Sequence, residues 1–213
     1  MTFCCCSWGR RTRPTAAGLR PYLREFLGDP RIIEAPAFVR WLVVNLIIVP
    51  FRSPKSAVKY RRIWDSKAGS PLLDITRRQT QALSRSLGSS FRVHFAMRYG
   101  NPSIRAVVRQ MMQAGCSRLV VLPMFPQYSA TTTASGLDGL FDAFKNERVL
   151  PSMRIISEYH QDPAYLDAVV DGVNSSPKFG PGGNSGMPPN QFSRYPGVYI
   201  ERGILSAAVG GNR

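Results

Sequence analysis

The sequence predicts an α/β fold: a doubly wound parallel sheet with helices on its faces. Three observations predict it. "FRVHFAMRYG" (Phe91–Gly100) alternates apolar and polar residues as a strand does. "SRLVVLPMFP" (Ser117–Pro126) is almost wholly apolar, the texture of a strand buried on both faces. Between them lies "NPSIRAVVRQMMQAGC", a helix-period stretch that ends at Gly115. Strand, helix and strand within about 30 residues make a βαβ crossover, so the two strands should run parallel.

The remaining elements follow in chain order. "MTFCCCSWGRRTR" has no period and is expected to be irregular, so residues 1–17 form a divergent N-terminal stretch. "LRPYLREFLGDPR" places Leu19, Tyr22, Leu23, Phe26 and Leu27 at helical spacing, and Gly28 with Asp29-Pro30 ends that helix. "AFVRWLVVNLIIVPF" (Ala37–Phe51) is the longest apolar stretch. Arg40, Asn45 and Pro50 interrupt it, and it is shorter than the ~20 residues of a membrane span. It suits a buried helix, the greasy edge of a pocket or contact with a membrane surface. "SAVKYRRIWDSKAGSP" has Ala57, Tyr60, Ile63 and Trp64 on one face and turns at Gly69-Ser70-Pro71. "PLLDITRRQTQALSRSL" is a helix through Leu73, Ile75, Gln79, Leu83 and Leu87. Asn101 is the expected cap of the next helix, with Pro102 in its first turn. After the second strand come a hydroxyl-rich loop, a helix "SGLDGLFDAFKNERV", a strand "MRIISEYH" and a helix "DPAYLDAVVDGV". From Asn174 to Arg213 glycine and proline dominate and no period survives, which predicts a disordered tail. The folded domain is therefore expected over residues 18–173.

Charge narrows the partners. Formal net charge is +15, and residues 21–150 carry 19 basic and eight acidic side chains. A basic body favours an anionic partner: nucleic acid, acidic phospholipid or a carboxylated small molecule. No nucleic-acid reader motif, P-loop or GxGxxG is present, so nucleic acid is not the expected partner. Cys4, Cys5 and Cys6 are too close for an ordinary disulfide framework, and Cys116 reads as a buried apolar residue. That cysteine pattern suits a reducing cytosol. His94 and His160 have no second ligand at metal spacing, so no metal site is expected.

Two groups of residues have the chemistry of a site. In α/β sheets ligands bind beyond the C-terminal ends of the strands. "FPQYSATTTASGL" (Phe125–Leu137) falls there, with Tyr128 and Ser129 among its hydroxyls. Those hydroxyls either bond a ligand or cap the following helix. Arg52, Lys55, Lys59, Arg61 and Arg62 surround Tyr60. They suit carboxylates or phosphates, or form a solvated face.

"YLREFLGDPRII", "FRSPKSAVKYRRIWDSKAGSPL", "FAMRYGNPSI" and "FPQYSATTTAS" occur in this order and at these intervals. Together they closely resemble the ferrochelatases, of bacterial type, over about residues 15–172. The resemblance implies a class II chelatase fold of two Rossmann-like halves facing a cleft, of which this chain holds the first half, incomplete. It implies a reaction, insertion of ferrous iron into protoporphyrin IX or coproporphyrin. It also implies substrate-binding residues: Arg52, Tyr60 and Ser70, with Tyr128 and Ser129 in the loop beside the cleft. The cell compartment it implies is the cytoplasm, with peripheral contact to the inner membrane.

The resemblance also marks departures. The family begins with a strand closed by a Gly-Thr-Pro-like turn, and "MTFCCCSWGRRTRPTAAG" stands in its place, so a central strand is expected to be missing. The family's Ser-X-His-X-X-Pro motif and its later glutamate do not occur, and His160 belongs to the stretch before that half. No residue of this chain is thus expected to be catalytic, and the chain is expected to be a fragment with little or no iron-insertion activity, or a non-catalytic porphyrin-binding domain. Vertebrate members ligate an iron–sulfur cluster through a cysteine just after the tyrosine-serine pair. Ala130 stands there, so no cluster is expected.

Overall fold

The computed structural model of the protein describes residues 2–7, 14–65 and 69–174, with the backbone alone for residues 3–7. The expected tail lies outside the described residues apart from Asn174.

Among the described residues, four parallel strands form one sheet in the order β2-β1-β3-β4. They are β1 (Thr2–Ser7), β2 (Arg92–Met97), β3 (Arg118–Pro123) and β4 (Ser152–Ile155). The expected parallel pair is present, but β2 and β3 are not neighbours: β1 lies between them, pairing Cys5 with Phe95 on one side and with Leu122 on the other. This corrects the expectation of an irregular N-terminus and a missing central strand. The short Thr2–Ser7 stretch takes the central place because both of its backbone edges are satisfied by neighbouring strands.

Among the described residues, seven α-helices accompany the sheet: α1 (Ala16–Gly28), α2 (Ala37–Leu42), α3 (Val49–Ile63), α4 (Pro71–Leu87), α5 (Ile104–Gln113), α6 (Ser135–Phe144) and α7 (Pro163–Asn174). Two short π-helical stretches, Val43–Ile48 and Ala130–Ala134, join α2 to α3 and lead into α6. β3 shows how the sheet is covered. Leu119 and Val121 pack with Ile104, Val107, Val108, Met111, Leu140 and Phe144 of α5 and α6. Val120 and Leu122 point the other way, onto Leu83 and Leu87 of α4. Alternation along the strand thus loads both faces with apolar side chains, as the unbroken apolar run predicts.

A third cluster lies in the β1–β2 crossover. Leu19, Tyr22, Leu23 and Leu27 of α1 pack against Val44, Val49, Ala57 and Tyr99. The Ala37–Ile63 segment is one continuous helix, and Pro50 does not end it. Proline at that place removes one N–H and crowds the carbonyl four residues back. The helix accommodates it by widening into a π turn, with the Val49 N–H bonded to the Val44 carbonyl. Contrary to the expected buried helix, much of this segment is exposed: Phe38 by 72 %, Trp41 by 58 %, Leu46 by 58 % and Phe51 by 71 %. It is long and apolar enough to cross a membrane by length and composition. Helix α5 also starts later than expected. Ser103 is its cap, its Oγ accepting from the Ala106 N–H at 3.3 Å. Residues 98–102 are occupied in folding back on β2, where the Met97 N–H meets the Pro102 carbonyl at 2.7 Å, so Asn101 cannot cap.

Candidate functional site

The strand order creates a crevice. From β1 the chain crosses to β2 on one side, returns past β1 to β3, and continues outward to β4. The crossover helices change faces at this reversal: α4 lies on one face and α5 and α6 on the other. At such a switch point the connections leave the C-terminal ends of β1 and β3 in opposite directions and open a ligand crevice.

β3 ends at Pro123, so the loop carrying Tyr128 and Ser129 starts at that crevice. Tyr128 is 54 % exposed. Ser129 caps the π-helical stretch. Its Oγ accepts from the Thr131 N–H at 3.3 Å and pairs with Thr131 Oγ1 at 3.0 Å. The capping reading of the loop therefore holds for Ser129, while Tyr128 stands open to solvent.

Arg52 and Tyr60 sit on α3, in the helical lobe that α1 and α3 form around the third core cluster, and Ser70 stands at the start of α4, which leads from that lobe onto the sheet. Arg52 lies in the first turn of α3 and is exposed, as are Lys55, Lys59, Arg61 and Arg62. Tyr60 is half-buried against the third core cluster. Ser70 occupies the cap position of α4, is 9 % exposed, and makes no side-chain capping bond. The two histidines stand apart. His94 lies in β2, where burial first and then the nearby charge of Arg92 push its pKa down. His160, beyond β4, has a partly exposed side chain, and its Nδ1, itself buried, lies 3.7 Å from Glu158 Oε2. Among the described residues, no group of three His, Cys, Asp or Glu is placed to hold a metal ion.

What joins the lobe to the loop is a buried polar network that local sequence patterns did not reveal. Asp29, 4 % exposed, closes α1. Its Oδ2 accepts from Ser135 Oγ at 2.6 Å, from Arg98 Nη2 at 2.7 Å and from Tyr99 Oη at 2.9 Å. Its Oδ1 accepts from the Arg31 N–H at 2.8 Å. Arg98 Nε also donates to Ser135 Oγ at 2.9 Å, and the guanidinium lies 5.0 Å from the centre of the Tyr99 ring. One turn further along α6, Arg31 pairs with Asp138. Burial opposes ionisation of Asp29, but the bonds from Ser135, the Arg31 amide and Tyr99, with the Arg98 charge, hold its pKa below the ordinary carboxylate value. Burial pushes the Tyr99 hydroxyl up to about 12, so it stays a protonated donor at neutral pH. Gly100 follows with φ 86°, a left-handed conformation that favours glycine, and its N–H donates to Glu25 at 2.8 Å. Three of the motifs that stood out in the sequence, "LGDPR", "RYGNP" and "SATTTAS", each contribute at least one member to this network. Their joint occurrence was the signal that would have found it.

Gly139 marks how tightly the network is packed. A Cβ there would lie 3.1 Å from Arg98 Nη1 and 3.2 Å from Ile104 Cδ1. Arg98 is held by Asp29 and Ser135 and has little freedom to withdraw. Overpacking costs about 1–3 kcal/mol, while alanine in a helix recovers at most about 1 kcal/mol. Gly139→Ala is therefore expected to lower the midpoint of urea unfolding, where a neutral or stabilised protein would show Arg98 to be loose.

The geometry has sequence counterparts. The family model "Ferrochelatase" matches residues 8–183. The ferrochelatase of Herminiimonas arsenicoxydans is 45 % identical over 168 residues, which is 78 % of this chain and 45 % of that protein. "Ferrochelatase 2" of Shewanella oneidensis is 44 % identical over 168 residues, 78 % of this chain and 51 % of that one. The ferrochelatase of Chromobacterium violaceum is 43 % identical over 176 residues, 81 % and 48 % of the two chains. The chain thus spans about half the length of the curated relatives it matches. With its parallel sheet, its flanking helices and a family match over most of its length, this chain belongs to the ferrochelatase family.

Proposed function

We propose that the chain provides a porphyrin-holding half of a ferrochelatase, the enzyme that inserts ferrous iron into protoporphyrin or coproporphyrin in haem synthesis. The observation that carries this reading is the Tyr128–Ser129 loop at the switch point of a ferrochelatase-like sheet, tied by a buried network to the lobe that bears Arg52. In this reading Arg52 pairs with a propionate carboxylate, which a guanidinium binds through two donors. Tyr60 and Ser70 line the pocket on the lobe side, and Tyr128 and Ser129 on the sheet side. The exposed apolar surface of Phe38, Trp41, Leu46, Ile47 and Phe51 suits a flat aromatic macrocycle. It is also the surface where a cytoplasmic protein would make peripheral contact with a bilayer.

Binding alone does not perform the reaction. Two pyrrole protons must leave the macrocycle, and the 213 residues contain no Ser-X-His-X-X-Pro motif to supply the base. The chain by itself is proposed to hold porphyrin with little or no iron insertion. This makes it a porphyrin-binding domain when alone. With Ala130 at the place of the cluster cysteine, it carries no iron–sulfur cluster in this reading.

Titration of the purified chain into protoporphyrin IX, followed by porphyrin fluorescence, tests the pocket. Arg52→Ala is expected to weaken binding by about 10- to 100-fold, the usual range for losing a hydrogen bond to a charged group. An affinity unchanged from the parent would remove Arg52 from the pocket.

A further inference from the structure

The network around Asp29 does more than close a helix. We propose that the Gly28–Arg31 corner is the positioning element for the Tyr128–Ser129 wall, and that Asp29 sets the place of that wall through Ser135. Three observations lead there. Ser135 begins α6 and follows directly on the π-helical stretch Ala130–Ala134, which Ser129 caps. Residues 129–144 therefore move as one rod, and fixing Ser135 fixes Ser129 at its tip. Second, Asp29 holds Ser135 at 2.6 Å and at the same time receives Arg98 and Tyr99 from the end of β2. Three separate parts of the chain meet on one carboxylate. Third, Arg31 in the same corner pairs with Asp138 on the rod. The corner thus supports the rod at two successive turns.

The carboxylate is required by hydrogen-bond arithmetic. Both oxygens of Asp29 accept: Oδ2 from three side chains, Oδ1 from the Arg31 N–H. An asparagine has one accepting oxygen, so whichever way its amide is turned, its NH2 faces a donor. Asp29→Asn keeps the size of the side chain and removes half of its accepting capacity. Of the corner's own contacts to the rod, Arg31–Asp138 is then the one left intact, while Ser135 keeps Arg98 and Tyr99 as partners. This role rests on the porphyrin reading only for its consequence in binding; the positioning itself has a readout without ligand.

The test is hydrogen–deuterium exchange of the full chain, read on the segment 125–137, with the α4 segment 71–87 as internal control. Asp29→Asn is expected to speed exchange in 125–137 by about tenfold or more while α4 exchanges as in the parent. It is also expected to weaken protoporphyrin IX binding, since the wall is less often in place. Exchange in 125–137 unchanged from the parent overturns the proposal, whatever porphyrin does. If Asp29→Asn speeds exchange throughout, the milder Arg31→Ala decides: faster exchange confined to 125–137, restored by Arg31→Lys, supports the corner, and an unaltered segment overturns it. Binding data separate this from the pocket reading. Weaker binding in Arg52→Ala with parent-like binding and exchange in Asp29→Asn leaves the pocket standing and the positioning role refuted. Local loosening in Asp29→Asn, with no porphyrin bound by the parent, refutes the pocket and leaves the positioning role standing.

Discussion

Asp29→Ala is expected to lower the stability of the chain by about 3 kcal/mol, and the midpoint of thermal unfolding by roughly 6–12 °C for a domain of this size. The reason is the number of donors that lose their acceptor together. Removing one member of a buried ion pair costs about 3–5 kcal/mol, because the other charge is left buried and alone. Arg98 keeps 24 % of its side chain exposed and can recover some hydration, which places the expected cost at the lower end. Tyr99 and Ser135 retain each other at 3.0 Å, so their hydroxyls are not fully orphaned. The Arg31 N–H loses its acceptor as well.

The same residue gives a pH signature with a definite sign. The folded pKa of Asp29 lies below its unfolded value, so its ionised form stabilises the native state. That contribution is complete above the unfolded carboxylate value of about 4 and is lost as the pH falls through the lower folded value. Urea unfolding of the parent should therefore weaken steeply on acidification below about pH 4, and Asp29→Ala should weaken less over that window. Parallel curves for the two proteins would show that Asp29 is not held ionised by the network.

Much of the sheet was legible because burial writes itself into sequence. The run Leu119–Leu122 is apolar at every position, and only a strand covered on both faces can hide all of them. Helix α4 was legible because Leu83 and Leu87 recur at helical spacing. β1 was not. Its run of three cysteines shows no apolar–polar alternation, and its place is set by the edges of β2 and β3, which lie about ninety residues or more further along the chain. The Ala37–Ile63 helix was partly legible. Its apolar character was plain, but composition does not say whether a greasy helix is covered, and Pro50 concealed its continuity behind a π turn.

The site divides in the same way. Arg52 and its basic neighbours, and the hydroxyl loop, were found as local clusters, and the structure places one group on the helical lobe and the other at the switch point. The network between them was hidden because each member has a sufficient local explanation. Asp29 reads as a helix stop, Arg98 and Tyr99 as the end of a strand, and Ser135 as a cap. Their partners are 69, 70 and 106 residues away from Asp29, a range that no periodicity encodes.

The second large effect concerns the reaction. Holding a porphyrin orients it, and orientation does not remove pyrrole protons. A positioned acid–base group contributes typically about 10²–10⁴-fold, and a metal that must shed water needs ligands as it does so. Of the two histidines, His94 is pushed toward its neutral form within β2, and His160 sits beyond β4, paired loosely with Glu158. Among the described residues, neither belongs to a group of three His, Cys, Asp or Glu placed to hold a metal ion. The direct measurement is anaerobic insertion of ferrous iron into protoporphyrin IX by the purified 213-residue chain, beside the ferrochelatase of Herminiimonas arsenicoxydans. The account predicts that the chain quenches porphyrin fluorescence on binding yet forms iron porphyrin no faster than solution, at least about 10²-fold below the relative. Turnover within tenfold of the relative would contradict it, because the residues of this chain would then supply the base and the metal ligands themselves.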